Sequence, residues 1–223
     1  MTTPTTKERY TQKLSEQICA MLRKDIIECT LEPGQLLENS AISERYQIGR
    51  TPFREACQRL ESAGLVEIVP HRGAFVASFS YRDISNLFEL RMIVEPEIAA
   101  LACQRGSGSN LEELVENIAE FQRLTKTGAP WLVPEINWNS KNFHLAVARL
   151  TQNKELVSVV EGIQDKLMRI MIFTARRSPQ NIPLNAIHPR ILEAIRGGKP
   201  ADAREWMTKD IKQAWDWVRD FGG

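Results

Sequence analysis

Gly49-Arg50-Thr51-Pro52-Phe53-Arg54-Glu55-Ala56-Cys57-Gln58-Arg59-Leu60 is the stretch that decides how this chain folds. Thr51 suits a helix N-cap, and Pro52 suits the first helical position, where its missing N–H has no partner to lose. Phe53, Ala56/Cys57 and Leu60 then recur at i, i+3/i+4 and i+7, which predicts one buried face. Ala63-Gly64 ends the helix, with glycine just past the last turn. Arg50, Thr51, Arg54 and Gln58 fall on the opposite side, close to the helix start.

Working outward toward the N-terminus, residues 39–46 form a short helix separated from the first stretch by a tight turn. Before it, Leu14, Ile18, Met21/Leu22, Ile26 and Cys29 keep helical spacing, and Leu31-Glu32-Pro33-Gly34 reads as a turn. Toward the C-terminus, two β-rich runs at 65–69 and 74–77 flank Pro70-His71-Arg72-Gly73, a hairpin signal. The order helix, helix–short turn–helix, hairpin predicts a winged helix-turn-helix over residues 8–78.

From Ser80 onward the periodicity is helical throughout, predicting an all-helical bundle over residues 80–223. Ser80 and Asp83 form a capping-box signal for a helix ending near Arg105, with Pro96 expected to interrupt and kink it. Ser109 with Glu112 marks the start of a helix to about residue 126. Further helices are predicted at 135–150, 154–176, 188–196 and 201–221, with loops at 128–134 and 178–186. In the last helix Trp206, Ile211, Ala214/Trp215 and Val218 make the expected apolar stripe. The fold class is therefore mainly α.

Composition fits this layout. Of 223 residues, 43% are hydrophobic and 26% charged, which suits a globular protein. No uncharged apolar run reaches membrane-spanning length, and residues 1–13 lack the apolar core of a signal peptide, so cytoplasmic residence is expected. Cys19, Cys29, Cys57 and Cys103 show no metal-binding spacing and read as small hydrophobes on helix faces. Charge is balanced: residues 1–80 hold 10 Lys and Arg against 10 Asp and Glu, and residues 81–223 hold 19 against 18. Non-specific attraction to phosphate is modest on that balance, so nucleic-acid binding must come from a local patch.

Such a patch exists. Arg50 and Arg54, one turn apart at the start of a helix, can each grip guanine O6 and N7 in the major groove. Thr51 and the free N–H groups around it can take a phosphate. His71 and Arg72 stand at the hairpin tip, placed to reach the DNA backbone or the adjacent minor groove.

These phrases together resemble the GntR family of bacterial regulators. The matching stretches are Pro33-Gly34-Gln35-Leu36-Leu37-Glu38, Gly49 to Ala56, Leu60 to Val66, and Arg72-Gly73-Ala74-Phe75-Val76. The helical remainder is similar to the ligand-binding (FCD) domain of the FadR-like subgroup, through Phe88-Glu89-Leu90-Arg91 with Glu95 and through Phe143-His144. The resemblance implies a homodimer on a palindromic double-stranded operator, base contacts from Arg50, Thr51 and Arg54, and a wing glycine at Gly73. Gly49 departs from the family's usual Ser or Thr, which removes a hydroxyl that could bind phosphate.

The resemblance also implies a sensing site. His144 and His188 fall where the subgroup places metal ligands; its first Asp position is Ser140 here, and its last His position is Asp210. His144, His188 and Asp210 would suit one divalent transition metal (Zn, Ni, Mn or Fe) with open positions for an effector oxygen. A small carboxylate effector is expected beside Ser140, His144 and His188, with Arg91 supplying positive charge. Two other readings stay open at this point: a metal-dependent enzyme using the same three ligands, and an interaction module whose winged helix binds protein.

Overall fold

The computed structural model describes residues 6–46, 48–106, 111–126, 134–177 and 187–219, in two compact units, 1–79 and 80–223. The first unit contains α1 (Thr6–Ile27), α2 (Asn39–Tyr46), α3 (Arg50–Ser62), β1 (Val66–Val69) and β2 (Gly73–Val76). Its core draws Ile18, Leu22 and Ile26 from α1, Ile42 from α2, and Phe53, Ala56, Cys57 and Leu60 from α3, closed by Leu65, Val66 and Val76. Each large apolar side chain removed from water here contributes about 1.5–3 kcal/mol, which offsets the ordering of short helices that are marginal alone.

The strands pair antiparallel, Val66 opposite Val76 and Val69 opposite Gly73. The segment after α1 adds a third edge: Leu36 bridges Phe75, Gly34 N–H donates to Val76 O at 2.9 Å, and Leu37 N–H donates to Ala74 O at 2.8 Å. The Pro33-Gly34 phrase is therefore more than a turn, because Gly34 at φ +80° swings the chain onto the wing. Asp25, near the end of α1, accepts from the Tyr46 hydroxyl and pairs with Arg45 at 2.8 Å, tying α2 to α1.

Several boundaries differ from the sequence expectation. The first helix begins at Thr6, eight residues before its apolar periodicity, and it stops at Ile27. Cys29 therefore lies in the following turn, buried and at φ +52°, rather than on a helix face. Thr51 is not the N-cap: α3 starts at Arg50, with Gly49 as an N-cap that offers no side chain. Pro52 thus sits third in the helix, still among the first four positions whose N–H groups have no intrahelical acceptor. Gly73 belongs to β2 rather than to the hairpin turn.

The second unit contains α4 (Tyr81–Arg105), α5 (Glu112–Lys126), α6 (Pro134–Leu150), α7 (Lys154–Arg177), α8 (Ile187–Arg196) and α9 (Pro200–Arg219). The Ser80–Asp83 capping box forms in both directions and starts α4. The helix continues through Pro96 to Arg105. It packs against α6, α7, α8 and α9, and so forms the axis of the bundle. On α9 the buried stripe is Ala203, Met207, Ile211 and Val218; Met207 takes the place expected for Trp206, which is half-buried. The capping role read for Ser109 lies outside the described residues. No helix among those described is long and apolar enough to cross a membrane.

Candidate functional site

Two places concentrate chemistry, one in each unit. On α3, Phe53, Ala56, Cys57 and Leu60 are buried, while Arg50, Thr51, Arg54 and Gln58 are exposed on the other side. A helix anchored on one face must present its opposite face to solvent, and this one presents two guanidinium groups near its N-terminus. Among the described residues, neither Arg50 nor Arg54 is held by an ion pair or side-chain hydrogen bond. Both are exposed to an outside partner.

The hairpin tip is also exposed at His71, Arg72 and Gly73. Arg72 N–H donates to Val69 O at 3.1 Å, and His71 occupies φ +62°. That conformation is uncommon for a residue with a Cβ and marks a tight turn at which His71 is exposed. The Arg72 guanidinium lies 5.8 Å from the Phe75 ring centre. Gly73 has φ +110°, and a Cβ there would stand 3.2 Å from Leu36 Cδ1.

In the second unit, His144 of α6, His188 of α8 and Asp210 of α9 converge, each offering a ligand atom within 4.8 Å of the others. Both imidazoles are buried, and both aim Nε2 at Asp210: His144 at 3.4 Å from Oδ2 and His188 at 3.3 Å from Oδ1. His188 is stacked on Phe143, with ring centres 3.9 Å apart, and Phe121 covers another side at 5.4 Å. His188 Nδ1 is buried without a hydrogen-bond partner. Ser140 stands one turn before His144, half-buried.

The surroundings order this cluster. His144 Nδ1 lies 2.6 Å from Glu95 Oε2, so the carboxylate stands against the outer edge of the ring. Glu95 accepts from Arg91 Nε at 2.6 Å and from Gln164 Nε2 at 3.3 Å. Burial would raise the Glu95 carboxyl, but Arg91 and His144 outweigh it and hold the group at about 2. Asp210 follows the same logic: burial raises it, while His188, His144 and Arg91 bring it down to about 2. Arg91 is 1% exposed, and its NH1 has no hydrogen-bond partner. The result is two imidazoles, an ionised carboxylate and a buried guanidinium in one place, a donor set suited to a divalent first-row transition ion.

The family resemblance grouped His144, His188 and Asp210 and set Arg91 beside them, and the structure brings these side chains together. Sequence reasoning quoted Glu95 without giving it a part. The signal was available, since Arg91 and Glu95 are four apart on a helix with apolar neighbours, where unpaired charge is not tolerated. It also missed the buried pair of Lys141 Nζ and Asp165 Oδ1 at 2.6 Å, in which Lys141 lies over the Trp138 ring. No spacing rule connects residues on different helices.

An exposed basic recognition helix beside a basic-tipped wing defines a DNA-binding protein. The chain matches the model of the bacterial regulatory proteins of the gntR family over residues 14–76 and that of the FCD domain over residues 86–213. It belongs to the GntR family of transcriptional regulators, in the group that carries an FCD domain, and it is not an enzyme. The chain is 33% identical over 212 residues to the HTH-type transcriptional repressor RspR of Escherichia coli K12, covering 95% of this chain and 91% of that protein. It is 26% identical to the regulator LutR of Bacillus subtilis, over 83% and 92%. The solved structure of Escherichia coli McbR/YncC shares the fold with a TM-score of 0.80 at 20% identity, over 93% and 97%.

Proposed function

We propose that this regulator binds a palindromic operator as a homodimer and that a small carboxylate in the second unit controls its affinity. The observation that carries the DNA assignment is the pair Arg50 and Arg54, exposed on the face of α3 opposite its buried residues and, among the described residues, without an ion pair. Arg50, Thr51 and Arg54 read bases or adjoining phosphates, and His71, Arg72 and Gly73 shape the contact of the wing.

His144, His188 and Asp210 would hold one divalent transition ion (Zn, Ni, Mn or Fe), which would supply a Lewis-acidic position for an effector oxygen. Glu95 fixes the ring of His144, so that Nε2 faces inward. The unpartnered NH1 of Arg91 supports a carboxylate as the effector, with Ser140 at the edge of the same site. Because the buried charge there is answered by three helices, occupancy is felt across the bundle. The effector shifts operator binding only by its unequal affinity for two arrangements of the dimer.

The test is operator binding by fluorescence anisotropy with DNA from upstream of the chain's own gene. Arg54→Ala loses roughly 1–3 kcal/mol of specific binding and relaxes base preference. Unchanged affinity and preference in both Arg50→Ala and Arg54→Ala refutes the assignment. For the ion, elemental analysis of purified protein finds stoichiometric metal in the parent and loses it in His144→Ala.

A further inference from the structure

A groove between α4 and α9 lies apart from the histidine cluster. It is a cavity of about 240 Å³ lined by Ser85, Phe88, Glu89 and Met92 of α4 and by Lys212 and Trp215 of α9. Its wall is aromatic: the Phe88 and Trp215 ring centres are 5.1 Å apart, and Tyr81 continues the wall 6.0 Å from Trp215. Tyr81 is 49% exposed and Met92 39%, an apolar surface left facing water.

The two charged groups of the groove complete the picture. The helices run antiparallel, and Arg204 of α9 holds Glu97 of α4 in a two-pronged pair at 2.6 and 2.9 Å. Eight residues back along α4 and eight forward along α9 bring Glu89 and Lys212 into the same register. Yet among the described residues neither makes an ion pair or a side-chain hydrogen bond. The cavity stands where their bridge would be. An acid and a base flanking an aromatic hollow match a ligand with a flat ring, an ammonium group and a carboxylate.

We propose that this groove is a second ligand site, which takes a ring-bearing zwitterion of the aromatic amino-acid class. The ring packs on Phe88 and Trp215, the ammonium meets Glu89 with Trp215 nearby, and the carboxylate meets Lys212. Phe88 also lies 5.4 Å under the Arg91 guanidinium, so the groove and the histidine cluster share a wall. The site is independent of whether that cluster holds metal.

Calorimetric titration of the full chain with L-phenylalanine tests this, with 3-phenylpropionate and phenethylamine as probes lacking one charge. Saturable binding of L-phenylalanine is expected, weakened about tenfold by removing either charge from the probe or by Lys212→Met or Glu89→Gln. Both substitutions are at exposed positions, and their unfolding midpoints should match the parent. His144→Ala is expected to leave binding intact. No saturable binding at millimolar probe, equal binding of 3-phenylpropionate, or loss in His144→Ala with retention in Lys212→Met overturns the proposal.

Discussion

Glu95→Gln is the most searching perturbation of the second unit. The substitution keeps the side chain's size and its ability to accept from Gln164 but removes the charge that answers Arg91. Arg91 and Glu95 are 1% and 2% exposed and 2.6 Å apart, so the guanidinium has no water to fall back on. Breaking such a buried pair from one side costs roughly 3–5 kcal/mol, because an uncompensated charge stays buried. At about 2–4 °C per kcal/mol for a chain of this size, the unfolding midpoint falls by roughly 6–20 °C. The assay is thermal unfolding followed by circular dichroism at neutral pH, in chelator so that bound metal adds nothing. The double variant Arg91→Met with Glu95→Gln is expected to be more stable than Glu95→Gln alone, since the guanidinium is no longer buried without its closest carboxylate. A single variant within about 1 kcal/mol of the parent, or a double variant no better than the single, refutes the reasoning.

The same carboxylates give a pH dependence. Glu95 lies at about 2 when folded against 4.5 ordinarily, and Asp210 at about 2 against 3.8. Their depressed values add stability that is present above the unfolded pKa and lost as pH falls toward the folded one. Acid unfolding of the metal-free protein should therefore steepen from about pH 4.5 downward, and Glu95→Gln should flatten that slope. Gly49→Ser should fit without strain: the backbone is extended at φ −82° and ψ 169°, and the nearest atom to a new Cβ is Pro52 Cδ at 3.9 Å. A serine cap improves on glycine by a few tenths of a kcal/mol, roughly 0.3, read as a small rise in denaturant midpoint. Gly73→Ala goes the other way, because φ +110° and the 3.2 Å approach to Leu36 Cδ1 leave no relaxed conformation. A loss of about 1–3 kcal/mol is expected in chemical denaturation, with weaker operator binding through a displaced wing.

The elements and their order are legible in the order of residues alone. The i, i+3/i+4, i+7 recurrence on α3, the Ser80–Asp83 box and the glycines at 64 and 73 are local rules, and local rules are written in neighbouring residues. They were enough to place Arg50 and Arg54 on the free face, since a helix with one apolar side leaves no choice for the other. Helix starts were less legible: Gly49 rather than Thr51 caps α3, in extended backbone at φ −82° and with no side-chain hydrogen bond to mark it. What lies between helices follows from their packing instead. The Glu95 contact with His144, the Lys141–Asp165 pair and the unbridged Glu89 and Lys212 join residues tens of positions apart. Whether such charges pair, bury or stay separated depends on the packing distance and register of α4 against α6 and α9, and no periodicity along a single helix encodes those.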